Sequence, residues 1–261
     1  MAEGPSEAPQ DAGSDSTPPG GSQPRPEDRG LAGLFATYLA VTATLFAITR
    51  LRGLPWMDEV VSLAVAALFL FVAIARVGYA LAPLQAHGMA LGGLLAPAPP
   101  GEGPAVFDLF RLLRENGASI LRETAVALAL ATLIFPPFIF AFGYWNGLSG
   151  WPALRMPPEF IAFSLAQIVA VAIPEEAFFR GYMQTRLRGR LPLWSTLILQ
   201  SAAFAFVHLA VDGQPARLAV FFPGLLFGLL RAWRGGIGAA VVFHALCNML
   251  AEYLRHAWLL P

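Results

Sequence analysis

The stretch PEEAFFRGYMQ, residues 174–184, places Glu175, Glu176 and Arg180 inside a run that is otherwise apolar. An ionised side chain at the centre of a membrane span costs about 2.5–3.5 kcal/mol on insertion scales, so three of them need an offset or a purpose. Glu176 and Arg180 offset each other in part, standing at i,i+4 with the acid on the N-terminal side, the favourable order for a helical pair. Glu175 lies one residue round the helix and has no partner from its own segment. A carboxyl placed so suits a group that must take a proton and give it back.

Two further motifs follow. FAFVH ends at His208, with Phe204 and His208 on one helical face, and HALCN puts His244 and Asn248 on one face a turn apart. A carboxylate, two histidines and an asparagine are the parts needed for hydrolysis by an activated water. The carboxylate takes the water's proton, a histidine orients the water or relays the proton, and imidazole or amide donors stabilise the oxyanion. Pro174, just before Glu175, removes a helical hydrogen bond and should bend the segment where a water-filled cavity would be useful.

Two other chemistries use the same residues. Glu175, His208 and His244 could bind zinc as a metalloprotease would, but the chain has no His-Glu-x-x-His and asparagine is a poor zinc ligand, so no cofactor is expected. Buried carboxylates and histidines also serve as proton relays in transporters, or in a non-catalytic immunity scaffold. The paired broken helices of a repeated transporter fold are not found in the sequence.

The elements that hold these residues follow from composition. Of 261 residues, 56% are apolar and 13% charged, against about 45–50% and 25% in ordinary soluble domains. Mean hydropathy is +0.59. The chain reads as an all-α, polytopic transmembrane helix bundle of about seven spans. These are Leu31 to Thr49, Val60 to Ala82, Thr124 to Trp145, Phe160 to Thr185, Pro192 to Val211, Leu218 to Ala232 and Gly236 to Tyr253. Gly224 and Gly228 give the short sixth span a close-packing face. Val106, Leu109, Phe110 and Leu113 recur at helical spacing opposite Asp108, Arg111 and Arg114, which predicts an amphipathic helix in the interface.

Residues 1–30 hold six Pro, five Gly and four Ser and predict a disordered tail. The division is therefore a tail at 1–30, two N-terminal spans with the interfacial helix at 31–119, a core at 120–255 and a short end at 256–261. Cys247 is the single cysteine, which excludes a disulfide framework or a Cys-rich metal site. Zero net charge gives no reason to expect nucleic acid. All 17 basic residues are arginine. With abundant Ala, Gly and Pro, this points to a GC-rich genome and a bacterial inner membrane.

Arg186, Arg188 and Arg190 follow the fourth span and Arg231 and Arg234 the sixth, so both clusters face one side, read as the cytoplasm. Counted from that side, Glu175, His208, His244 and Asn248 lie roughly 13–24 Å deep and can meet near mid-membrane. His87 and His256 lie outside the motifs and read as interfacial, and Arg76 either snorkels or pairs.

Glu175, Glu176, Arg180, Gly181 and Tyr182, followed by Phe-x-x-x-His ending at His208 and His-x-x-x-Asn at His244 and Asn248, resemble the CPBP intramembrane proteases. That family includes the CAAX-processing Ras-converting enzymes and the bacterial Abi proteins. The resemblance covers roughly residues 120–255. It implies a glutamate-dependent endopeptidase in which Glu175 and His208 activate water, His244 and Asn248 form the oxyanion hole, and Glu176 and Arg180 are a supporting ion pair. The expected partners are membrane lipid and a membrane-protein or peptide-tail substrate, which analogy with bacterial sorting systems would make the C-terminal tails of exported proteins.

Overall fold

The computed structural model describes residues 30–51, 57–77, 109–148, 152 and 159–259, and its described elements are helical throughout. The first twenty-nine residues, His87, the end of the second expected span and Val106 and Asp108 of the expected interfacial helix lie outside them. Among the described residues seven helices follow in chain order: α1 (Gly30–Thr49), α2 (Met57–Val77), α3 (Leu109–Trp145), α4 (Phe160–Arg188), α5 (Leu193–Asp212), α6 (Phe221–Arg234) and α7 (Gly238–Leu254). A 3-10 segment, Pro215–Val220, leads into α6, and a π turn, Arg255–Leu259, closes α7.

Among the described residues five stretches are long and apolar enough to cross a membrane by length and composition: Leu31–Thr49, Gly117–Trp145, Phe160–Arg188, Leu193–Asp212 and Pro215–Arg234. The second and seventh helices are shorter, with Val60–Arg76 the apolar part of α2 and 17 residues in α7. The protein is a polytopic helical bundle of the integral-membrane type. Its large exposed side chains agree, since Leu63, Leu133, Phe140, Ile161 and Phe222 all face outward. Such an outward apolar face is what lipid contact permits and water does not.

From Leu109 the expected interfacial helix is not a separate element but the first turns of α3, which runs unbroken for 37 residues to Trp145. No proline interrupts that junction, and the one glycine there, Gly117, has open space around it. Pro136 and Pro137 are carried inside the same helix at exposed positions.

Contacts between helix ends fix which ends share a face. Arg231 reaches Thr185 Oγ1 at 3.4 Å, Arg234 holds both carboxylate oxygens of Glu123 at 2.7 and 3.1 Å, and Arg186 reaches the carbonyl of Arg76 at 3.5 Å. The ends of α2, α4 and α6 and the start of the spanning part of α3 therefore lie together, as the two arginine clusters require. At the opposite face Tyr253 donates to the carbonyl of Pro152 at 3.1 Å.

The core lies around α4. Phe69 of α2 packs on Phe178 and Phe179 with centroids 5.3 and 5.6 Å away. Phe179 meets Phe204 of α5 edge-on at 5.1 Å. Helix α6 seats against α4 and α5 through its glycines: a Cβ on Gly228 would lie 2.5 Å from Gln200 Nε2 and 2.7 Å from Leu197. Close approach exposes the backbone carbonyls, and Gln184 donates to the carbonyl of Gly228 at 2.9 Å.

Candidate active site

Helix α4 carries the first motif and is not a uniform α-helix. Two π segments, Gln167–Ala172 and Ala177–Gln184, flank a short α stretch, Ile173–Glu176. A proline ring inside an α-helix collides with the carbonyl four residues before it. The wide turn ending just before Pro174, with Ile173 N–H bonded to the carbonyl of Ile168, lets the helix continue past that ring. The helix is thus re-phased on both sides of Glu175 and Glu176, and π turns of this kind recur at functional sites.

Three of the expected residues converge. Glu175 Oε2 lies 4.0 Å from His208 Nε2 and 3.7 Å from His244 Nε2, beyond direct hydrogen-bond length for either. This oxygen is buried and has no hydrogen-bond partner within the described protein. Side-chain exposure rises from 4% at His244 through 11% at Glu175 to 23% at His208, so the cluster opens to the surface beside His208.

Each imidazole is tied by its other nitrogen. His208 Nδ1 is 2.8 Å from the carbonyl of Phe204, which can only accept, so Nδ1 carries the hydrogen and the neutral ring turns the Nε2 lone pair toward Glu175. His244 Nδ1 is 2.8 Å from Glu176 Oε1. The same oxygen accepts from Arg180 Nη1 at 2.8 Å, and both members of that ion pair are fully buried. Arg180 also donates to the carbonyl of Gly224 at 3.0 Å, where Gln200 donates as well at 3.2 Å. Its guanidinium lies over the rings of Phe204 and Phe227, 4.5 and 5.0 Å from their centroids.

Asn248, one turn beyond His244 on α7, is held by a side chain of α4. Its amide nitrogen donates to Gln167 Oε1 at 2.8 Å, from the first π segment of α4. Gln167, Gln184 and Gln200 are thus part of the polar interior, although the motifs did not mark them. Polar residues on apolar spans were the available signal, but their partners lie 24 to 81 positions away in the chain. Cys247 is partly buried against the hydrophobic core, and His256 contacts Glu252 at 3.1 Å at the end of α7, away from the motifs.

The arrangement can hold a water between an acceptor oxygen and an acceptor nitrogen, with a second imidazole fixed opposite by a carboxylate. Among the described residues no group of three His, Cys, Asp or Glu side chains has the geometry of a metal site. Residues 157–250 match the model of the family described as Type II CAAX prenyl endopeptidase Rce1-like. The matched stretch contains all three motifs, so the likeness to CPBP proteases is a family match over these residues, and it supports a protease. No curated protein and no solved structure matches the chain.

Proposed function

We propose, with an Rce1-like stretch at residues 157–250 as the premise, that the protein is a glutamate-type intramembrane endopeptidase. It would cleave membrane-embedded or membrane-proximal peptide bonds, among them those of C-terminal tails of exported proteins. The observation that carries this reading is the single oxygen of Glu175 set 4.0 and 3.7 Å from the Nε2 atoms of His208 and His244. A water between Glu175 and His208 donates one hydrogen to each acceptor. Glu175 takes the proton as the water oxygen attacks the peptide carbonyl carbon, and the carbonyl electrons move to oxygen. His244, carrying both ring protons, donates from Nε2 to that oxyanion while Glu176 balances its Nδ1–H. Collapse of the tetrahedral intermediate expels the amine, which leaves with the proton held by Glu175.

Asn248 supplies a further donor, oriented by Gln167. No step needs zinc. The buried Glu176–Arg180 pair is the support of His244 rather than a reacting group. The composition, arginine-only and rich in alanine, supports a bacterial inner membrane as the setting. The test is cleavage of host membrane-protein tails by the purified protein in liposomes, scored by mass spectrometry, beside Glu175→Gln and with a chelator. The proposal expects cleavage by the parent alone, unchanged by the chelator. Loss of cleavage on chelation, restored by zinc, would replace it with a metalloprotease.

A further inference from the structure

Away from the catalytic cluster, α1 and α2 enclose a groove of about 230 Å³. Thr37, Val41 and Thr44 form the α1 wall, Leu68, Phe71 and Val72 the α2 wall, and Arg76 lies at one end. The threonines do not make the wall polar. Thr37 Oγ1 donates to the carbonyl of Gly33 and Thr44 Oγ1 to that of Ala40, both at 2.8 Å, so each hydroxyl hydrogen is held by its own helix. The groove is therefore an apolar channel along the bilayer side of the bundle, reaching about 12 Å inward from Arg76 at the helical rise.

Its charged end is at the arginine-rich face. The Arg76 side chain is exposed, and among the described residues it has no carboxylate partner. Arg186 of α4 reaches over to the Arg76 carbonyl at 3.5 Å, which brings a second guanidinium to the same point, and its Nε is buried without a partner. A narrow apolar channel that begins at two uncompensated guanidiniums at the membrane surface has the shape and charge of one ligand class. We infer that the α1–α2 groove is a binding site for an anionic glycerophospholipid, with its phosphate at Arg76 and Arg186 and one acyl chain along Thr37, Thr44, Leu68 and Phe71. The site is separate from Glu175, His208 and His244, and it stands whether or not the protein is a protease.

The test is native mass spectrometry of the full chain released from detergent. It is offered equal amounts of phosphatidylglycerol and phosphatidylcholine bearing identical acyl chains. The parent should retain the anionic lipid about thirtyfold over the zwitterionic one, as two arginines near a phosphate imply. Arg76→Gln should cut that preference about fivefold. Ala40→Phe, at an exposed position on the groove wall, should reduce retention of both lipids. Millimolar inorganic phosphate should displace neither. Both substitutions lie on the surface, and unchanged helical circular dichroism shows that the fold is intact. Equal retention of the two lipids by the parent, retention indifferent to both substitutions, displacement by free phosphate, or a chain dimer in place of the lipid complex would each overturn the inference.

Discussion

The ring of Phe227 lies face to face with that of His244, 4.7 Å between centroids and 15° from parallel. On α6, Phe227 also carries the Arg180 guanidinium over its ring, so one side chain sets the plane of the imidazole and supports the cation behind it. Stacking fixes the direction in which His244 Nε2 points. Phe227→Leu keeps an apolar side chain there and removes the plane. The expected result is a kcat about tenfold lower with KM little changed, since a donor aimed at a transition state is misaligned. Single-turnover cleavage measures it.

Glu175→Gln should lower cleavage by about 10²–10⁴-fold, the usual worth of a positioned base. The amide keeps the shape and removes the charge, so thermal unfolding should be unchanged or slightly raised. A Gln variant that cleaves at the parental rate would remove Glu175 from the reaction.

The Glu176–Arg180 pair calls for a cycle of variants. Arg180→Met leaves Glu176 buried without its cation and should destabilise by about 3–5 kcal/mol. Adding Glu176→Gln should recover much of that, because neither member of the former ion pair then carries a charge. Cleavage should not recover, since His244 Nδ1 has lost its carboxylate. Denaturant unfolding beside activity separates the two effects; activity that follows stability throughout would make the pair merely structural.

Gln167 and Asn248 should behave as one unit. Asn248→Ala is expected to cost about 10²-fold in kcat, the worth of one oxyanion donor, and Gln167→Leu a smaller share of the same loss. In the double variant the effects should not add, because residues in one hydrogen-bonded pair share their loss. Additive losses would separate them.

Gly228→Ala should destabilise by about 1–3 kcal/mol, because the added carbon would meet Gln200 and Leu197 at 2.5 and 2.7 Å. Gly117→Ala is the opposite case. It stands in a helix with open space around it and should stabilise by up to about 1 kcal/mol.

Most of the site was legible because its residues break the apolar background. Glu175, His208 and His244 are polar where spans are apolar, and counting residues from two arginine clusters already placed them at one depth. The Glu176–Arg180 pair followed from i,i+4 spacing, and the glycines of α6 from their own. What spacing could not give was the third partner of each group. That Glu176 is shared with His244, and that Asn248 is held by Gln167, depends on how α4 and α7 pack. Asn248 read as a member of the cluster from its place one turn beyond His244, but the partner that holds its amide could not be read from spacing. The π segments were also hidden, because a period of 3.6 counts residues as though every turn were alike. The continuity of the amphipathic stretch from Leu109 with the span that follows was hidden for a related reason: amphipathic spacing marks a face but does not mark where a helix ends.

Those π segments change how much chemistry fits at one level of the bilayer. As a plain α-helix, the 29 residues of α4 would measure about 44 Å, well beyond a hydrocarbon core of about 30 Å. Turns that close over five residues place more side chains in each layer of thickness. Fourteen of α4's residues sit in such turns, six before Ile173–Glu176 and eight after. Density per ångström is thereby raised on either side of Glu175. Deleting one residue from either segment would let an ordinary turn replace a wide one and leave the helix beyond it in nearly the same phase, so what such a change removes is one side chain from that layer of the bilayer.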